Sequence, residues 1–481
     1  MTCIPYSAKG QNQPILSLEK GSDTPINVVL INLDDSGLAD FSHNGALGYR
    51  TPNVDRIASD GVVFTNYYSA QPISGASRAA LLTGCYSNRI GLVMAPMPGS
   101  ETGISDQEQT IGNLLQDNGY STCIVGKWHL GDHEQFLPLR HGFDEYFGLP
   151  YSNDMWPGNK QAIRKHPPLP LYKGKDVYKY IESMEDMSQL TTLYTEYSID
   201  FITRNVQQGK PFFLYLAHNM PHVPLAVSEQ FAGKSGMGLF GDVMMELDWS
   251  IGQISKTLEA LDIADQTLII ITSDNGPWLN YGNHAGSTGG LREGKSTTFN
   301  GGLRVPCFMY MKGHTDPGRI CNDLMSSIDL LPTIVSLTGA RSPRNHIDGI
   351  DFLPYLTGKD EKPAREYLCF YYNRNSLEAI TDGRYKLVFP HKYQSYEVYE
   401  PGQDGLRGRT GQLEILQEEL YDLAHDAGER HNLFNFLPDI VARLEAAADA
   451  MRSDLGDDLK GIAPTGAREP GHLSSNELVK N

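Results

Sequence analysis

Ser74 stands near the head of the stretch Pro72–Gly84, P-I-S-G-A-S-R-A-A-L-L-T-G. Gly75 and Ala76 permit a tight turn, and Ala79, Ala80, Leu81 and Leu82 predict the first turns of a buried helix. Ser74 then lies at a helix N-terminus, where free N–H groups and the helix dipole favour an anion. Arg78 projects from the same face and can fork two hydrogen bonds onto a tetrahedral oxyanion. The pattern describes a nucleophile beside an anion cradle. A serine N-cap followed by a surface arginine gives the same letters.

Other chemistry-bearing residues gather where apolar runs stop. Asn27–Leu33 ends in Asp34-Asp35-Ser36-Gly37, and Thr267–Thr272 ends in Ser273-Asp274-Asn275-Gly276. Adjacent carboxylates repel unless a cation sits between them, and hard oxygen donors of this kind suit calcium or magnesium. A solvated acidic turn is the alternative. Ser121–Val125 runs into G-K-W-H-L-G, with Lys127 and His129 alternating around Trp128 on extended chain, an anion-binding or proton-transfer pair. Pro211–Ala217 empties into H-N-M-P-H-V-P and offers His218 and His222. Gly286–Pro306 holds six glycines around Arg292 and Lys295, so its backbone can approach a ligand closely.

The elements that must position these residues alternate. Buried strands (27–33, 61–67, 121–125, 211–217, 267–272, 305–311) interleave with helices (52–58, 110–118, 190–206, 240–261, 329–337). Residues 145–158 read as loop and 157–189 as irregular chain roofing a cleft. This predicts an α/β fold: a large, mainly parallel or mixed sheet sandwiched by helices, with a smaller C-terminal α+β unit containing a short antiparallel sheet. The expected division is an N-terminal arm at 1–25, a catalytic domain at 26–365 and a C-terminal subdomain at 366–481. That last part carries strands near 367–372, 377–381 and 385–389, a closing helix at 440–452, and an extended or disordered tail. Ligands in such sheets bind at the carboxyl ends of strands, where every residue named above falls.

Composition narrows the partners. The 481 residues carry 58 acidic and 40 basic side chains, a net charge of −18, which argues against nucleic acid. No apolar run reaches membrane-spanning length. Six scattered cysteines form no zinc pattern and leave room for one or two bridges. The N-terminal stretch lacks the apolar core of a signal peptide.

Five segments in order, N-L-D-D, S-G-A-S-R-A-A-L-L-T-G, G-Y-S-T-C-I-V-G-K-W-H, S-D-N-G-P and G-G-L-R-E-G-K…G-G-L-R-V-P, closely resemble the formylglycine-dependent sulfatases of the alkaline-phosphatase-like superfamily. The resemblance covers roughly residues 26–450 and is nearest to the arylsulfatase A and N-acetylgalactosamine-6-sulfatase branch. It implies that Ser74 is oxidised to formylglycine, whose hydrate is the nucleophile. It also implies one calcium ion held by Asp34, Asp35, Asp274, Asn275 and residue 74. Arg78 and Lys127 match groups that hold the hydrate and sulfate, and His129 the base that collapses the hemiacetal. His222, rather than His218, matches the acid that protonates the leaving oxygen; Lys295 matches the sulfate-binding lysine, and Ser152 in Y-S-N-D a further contact. The family more often has Cys at the position of Ser74 and Pro at that of Ala76. The serine version resembles the bacterial variant matured by an anaerobic radical enzyme, which implies a periplasmic or secreted protein.

The expected substrate is a sulfated terminal galactose or N-acetylgalactosamine of a glycan, with Asp154, Trp156, Asn283 and His284 in loops able to contact the sugar. A phosphodiesterase or phosphonate hydrolase of the same superfamily, or an inactive glycan-binding homologue if Ser74 stays serine, are the competing readings.

Overall fold

The computed structural model describes residues 14–18, 24–398 and 400–473. Its centre is a ten-stranded sheet built from Asn27–Leu33 (β1), Val62–Phe64 (β2), Ser121–Gly126 (β3), Glu145–Gly148 (β4), Leu169–Lys173 (β5), Asp176–Ile181 (β6), Phe212–Ala217 (β7), Thr267–Ser273 (β8), Cys307–Tyr310 (β9) and Arg319–Cys321 (β10). The spatial order is β10-β2-β9-β8-β1-β7-β3-β4-β5-β6. The middle five strands, β8 to β4, are mutually parallel, and both flanks turn antiparallel.

The continuous apolar runs have a simple cause. Alternate residues of each central strand feed two separate cores, one on each face. Val28, Leu30, Phe213, Tyr215, Leu268 and Ile270 enter one. Val29, Ile31, Leu214, Leu216, Ile269 and Ile271 enter the other. Register then aligns the strand ends: Leu33 pairs with Ser273, Asn32 with Ala217, and Gly126 with Ala217. Whatever follows each strand leaves the sheet at one level.

The sequence-based elements hold in the centre and fail at the rims. Residues 145–158 begin with the parallel strand β4, and 157–189 contain the hairpin β5–β6 and the helix Met184–Ser188. β6 is an edge strand with polar alternation, so its apolar signal is weak. Ile15 and Leu16 of the expected loose arm are buried in the core, and Leu16 N–H donates to Leu356 O at 2.8 Å. The remaining arm residues, apart from 14–18 and 24–25, lie outside those described. The tail also docks: Arg468 forks onto buried Glu108, and Gly471–His472 pairs with Thr102–Gly103.

A four-stranded antiparallel sheet follows, ordered Leu368–Tyr372, Ser376–Thr381, Tyr385–Val388, Glu419–Asp422, with the helix Pro438–Leu455 against it. Its core is continuous with Ala80, Phe299 and Leu303 beside the glycine-rich loop. Within it, burial first, with Asp457 adding repulsion, pushes the Glu378 carboxyl up to about 8 against the pull of Thr298 and Lys386. His391 lies 3.4 Å away and is pushed by burial down to about 4, so at neutral pH both groups are uncharged. A carboxyl with a raised folded pKa takes up a proton on folding, so its stabilisation is present at acid pH and lost as pH rises. Between pH 4.5 and about 8, Glu378 should lower stability by about 1.4 kcal/mol per pH unit. Glu378→Gln should flatten that slope in urea titrations across the window, and an unchanged slope would assign it to other groups.

Candidate active site

The helix Ser74–Thr83 carries the opening serine, and every residue in it is buried. Ile73 is extended and no side chain caps the first turn, so the free N–H groups face inward. Gly84, at φ 68°, closes the other end with a hydrogen bond to Ala80 O. Ser74 Oγ lies 3.0 Å from Asp34 Oδ1 and 3.5 Å from Asn275 Oδ1.

Four separated segments meet here. The Asp35 N–H donates to Asp274 Oδ1 at 3.1 Å, and Asn275 Nδ2 to Asp35 Oδ1 at 2.7 Å. Three buried carboxylates so close require compensation, and three cations supply it. Arg78 places Nε 2.9 Å from Asp274 Oδ2 and Nη2 3.6 Å from Asp34. Lys127 Nζ reaches Asp34 Oδ2 at 2.5 Å and Ser152 Oγ at 3.3 Å. Lys295 Nζ spans both oxygens of Asp35 at 2.7 and 2.8 Å. Burial would raise the Asp34 carboxyl, yet Lys127, His222, Arg78 and Lys295 hold it far below the usual carboxylate range. Asp274 moves the other way, raised by burial and by repulsion from Asp34.

Two histidines face this cluster with different partners. His222 Nε2 lies 3.7 Å from Asp35 Oδ2, while Nδ1 sits 2.5 Å from Val223 O. The carbonyl can only accept, so Nδ1 carries the proton and Nε2 points its lone pair or second proton into the pocket. His129 has both ring nitrogens buried without partners, and burial followed by the charges of Lys127 and Arg78 keeps it neutral. His218 is elsewhere, hydrogen-bonded to Ser250 and pushed by burial down to about 3.

Lys127–His129 is not the extended segment expected. β3 ends at Gly126, whose φ is +106°, and His129 is left-handed at φ 64°. A Cβ on Gly126 would sit 1.9 Å from Ala217 O, so only glycine lets Lys127 leave the strand there. Strain concentrates at this site: of the nine described non-glycine residues with positive φ, four are Asp35, His129, Glu293 and Ser296.

The expected sugar contacts divide. Ser152 touches Lys127, and Asp154 lines a cleft at the mouth with one buried carboxylate oxygen unpartnered. Trp156 is instead packed in the core at 7 % exposure, its ring laid over Gly158, which leaves no face for a sugar. Asn283 spends its amide on Asp404, and His284 abuts Gly405.

Two features escaped the sequence reading. Trp278, four residues beyond Asp274, lies 4.7 Å under Lys295 Nζ and 5.6 Å from the His222 ring. The loop bearing Lys295 is also clamped by the chain around His391–Tyr396. Ser395 Oγ and the Tyr396 N–H donate to Glu293 at 2.6 and 2.7 Å, and Tyr396 Oη donates to Lys295 O at 2.6 Å. Arg292 stacks on Phe299 at 3.8 Å and donates to Tyr393 and Tyr421. Only the adjacency of Trp278 to S-D-N-G-P offered a signal; the clamp joins residues a hundred positions apart.

An acidic oxygen cluster ringed by fixed cations, with a hydroxyl at a helix N-terminus on the carboxyl edge of a parallel sheet, defines a hydrolase for anionic esters. A family model described as "Sulfatase" matches residues 26–340, and one described as "N-sulphoglucosamine sulphohydrolase, C-terminal" matches 294–407. The chain belongs to the sulfatase family and is a sulfuric ester hydrolase. N-acetylgalactosamine-6-sulfatase of Mus musculus is 38% identical over 440 residues, 86% of this chain and 83% of that protein. Arylsulfatase A of Bos taurus is 35% identical over 439 residues, 87% and 85% of the two chains. The crystal structure of PsFucS1 sulfatase from Pseudoalteromonas sp. superposes with a TM-score of 0.81 at 28% identity, covering 89% of this chain and 90% of that one. The fold is the alkaline-phosphatase-like fold of sulfatases.

Tyr396→Phe removes the bond to Lys295 O and the longer one accepted from Gln394 Nε2 at 3.3 Å, about 1–2 kcal/mol of stability, and frees the Lys295 backbone. If Lys295 binds the sulfate, as expected from the sequence, misplacing its charge should lower kcat/KM for an aryl sulfate on the order of fivefold, with the melting temperature nearly kept. An unchanged kcat/KM would show that the glycine-rich loop places Lys295 unaided.

Proposed function

We propose that this protein removes sulfate from a terminal galactose or N-acetylgalactosamine of a glycan, using a formylglycine made from Ser74 and a calcium ion. The observation that carries the reading is the convergence of Ser74 Oγ with Asp34 and Asn275 inside a ring of Arg78, Lys127, Lys295 and His222. The sugar follows from the likeness to the mouse N-acetylgalactosamine-6-sulfatase.

The donors fit a hard divalent cation. Asp34, Asp35, Asp274, the Asn275 amide oxygen and the Ser74 oxygen are all oxygen ligands, as calcium prefers. Asp34, Asp35 and His222 already bring ligand atoms within 4.8 Å of one another. With these carboxylates engaged by a metal, the ammonium groups of Lys127 and Lys295 are the ones left to hold an anion. Formylglycine hydrate would supply a geminal diol as nucleophile, and calcium a fixed positive charge beside it.

The chain's own groups do the rest. Arg78 and Lys127 orient residue 74 and neutralise one side of the sulfate, and Lys295 binds its other oxygens. His222, its Nδ1 proton fixed on Val223 O, presents Nε2 to the leaving oxygen and gives it a proton. His129, neutral and unpartnered, accepts a proton from residue 74. Burial of the whole cluster strengthens each of these interactions by excluding water. Serine at position 74 supports maturation by an anaerobic radical enzyme and a periplasmic or secreted location.

His222→Ala should lower kcat by at least about a hundredfold, the usual worth of a positioned acid; a near-normal rate would remove it from this role. Mass spectrometry of the tryptic peptide carrying residue 74 should show the loss of a hydrogen pair in active preparations. Full activity with unmodified serine would overturn the formylglycine assignment.

A further inference from the structure

Trp278 is half-buried and divides two clefts at the mouth of the site. One, of about 370 Å³, is lined by Asp154, Arg164, His166, Trp278, Tyr281 and Arg407 among others. The other, of about 590 Å³, is lined by Trp278, Ser296, Gln394, Arg407 and Arg409 among others. Each is large enough for a sugar ring.

Three arginines, Arg164, Arg407 and Arg409, line these clefts against one carboxylate, Asp154, and the chain segments that supply them are poor in acids. No acidic residue occurs between Asp154 and Asp176, a stretch holding Lys160, Arg164, Lys165, Lys173 and Lys175, and none occurs between Asp404 and Glu414, which holds Arg407 and Arg409. Gln161 ties the two segments together, its Nε2 donating to Gly405 O at 2.5 Å and its Oε1 accepting from Arg407 N–H at 2.6 Å. Several arginines elsewhere, among them Arg89, Arg204, Arg365 and Arg452, are spent on carboxylates, whereas others, such as Arg304, are not. Among the described residues, Arg164, Arg407 and Arg409 have no carboxylate partner. Unneutralised guanidinium groups gathered at a cleft focus the field on anions and can fork onto sulfate or carboxylate.

We propose that these clefts form a subsite for the sugar next to the one that loses its sulfate, selecting a neighbour that carries its own sulfate or carboxylate. Trp278 provides the stacking face between the two rings, and Arg164 and Arg407 hold the second anion. This deepens the sulfatase reading and rests on it. The glycan is accordingly polyanionic, and the enzyme discriminates by charge on a group that does not react.

Binding needs no turnover, so calorimetry on the Ser74 protein in calcium-containing buffer tests the idea directly. Four probes are compared: galactose 6-sulfate, and the same sugar linked to neutral galactose, to a hexuronate, or to a sulfated galactose. At least one anionic neighbour should bind about tenfold tighter than the neutral one at low salt, and which one does so identifies the second anion. The preference should shrink at high salt and vanish in Arg164→Ala/Arg407→Ala, whose melting temperature reports that it remains folded. Equal affinities for all neighbours, or a preference the double variant keeps, overturns the proposal while leaving the sulfatase reading standing. Failure of every probe, galactose 6-sulfate included, counts against both.

Discussion

Buried like charges have to be compensated, and that requirement governs this molecule. Asp34, Asp35 and Asp274 lie within one buried cluster because β1 and β8 run parallel in register and end together. In a low dielectric three carboxylates are untenable alone. Arg78, Lys127 and Lys295 answer them from three other elements: a helix, the end of β3 and a glycine-rich loop. Under the proposed function these same charges would meet the sulfate, so stability and catalysis would draw on one set of groups.

Precision comes from outside the main sheet. Lys295 sits on backbone with Glu293 and Ser296 in the left-handed region, a conformation that non-glycine residues keep only when neighbours enforce it. Here the enforcement is Ser395 and Tyr396 on one side and the Ser296 N–H to Pro72 O bond on the other. The second contact ties the lysine's loop to the residue two before Ser74, so Ser74 and Lys295 share a support.

Much of this was legible in the sequence. The central strands announced themselves as apolar runs because both faces are covered, and the chemistry-bearing residues followed them at once. The N-terminal position of Ser74 on a buried helix was equally local in origin. What failed was non-local or weakly patterned. β5 and β6 lie at an edge where one side meets solvent, so their apolar periodicity is diluted. The extended reading of Lys127–His129 missed the turn at Gly126, because its cause is Ala217 O on a neighbouring strand. Trp156 looked like a sugar platform by type and loop position, but Gly158 leaves room for its ring to fold inward. The clamp on Lys295 could not be seen without knowing that residues 293 and 395 touch.

The central place of β1 also dictates an order of events during synthesis. β1, the first of the described strands, lies between strands starting at Phe212 and Thr267, so its neighbours emerge long after it does. Such pairings between distant chain segments are slow and leave early segments waiting. Ser74 waits with them, because Asp274 and Asn275, which help enclose it, leave the ribosome two hundred residues later. Until then Ser74 lacks the groups that enclose it; in the folded chain every residue of the helix that carries it is buried.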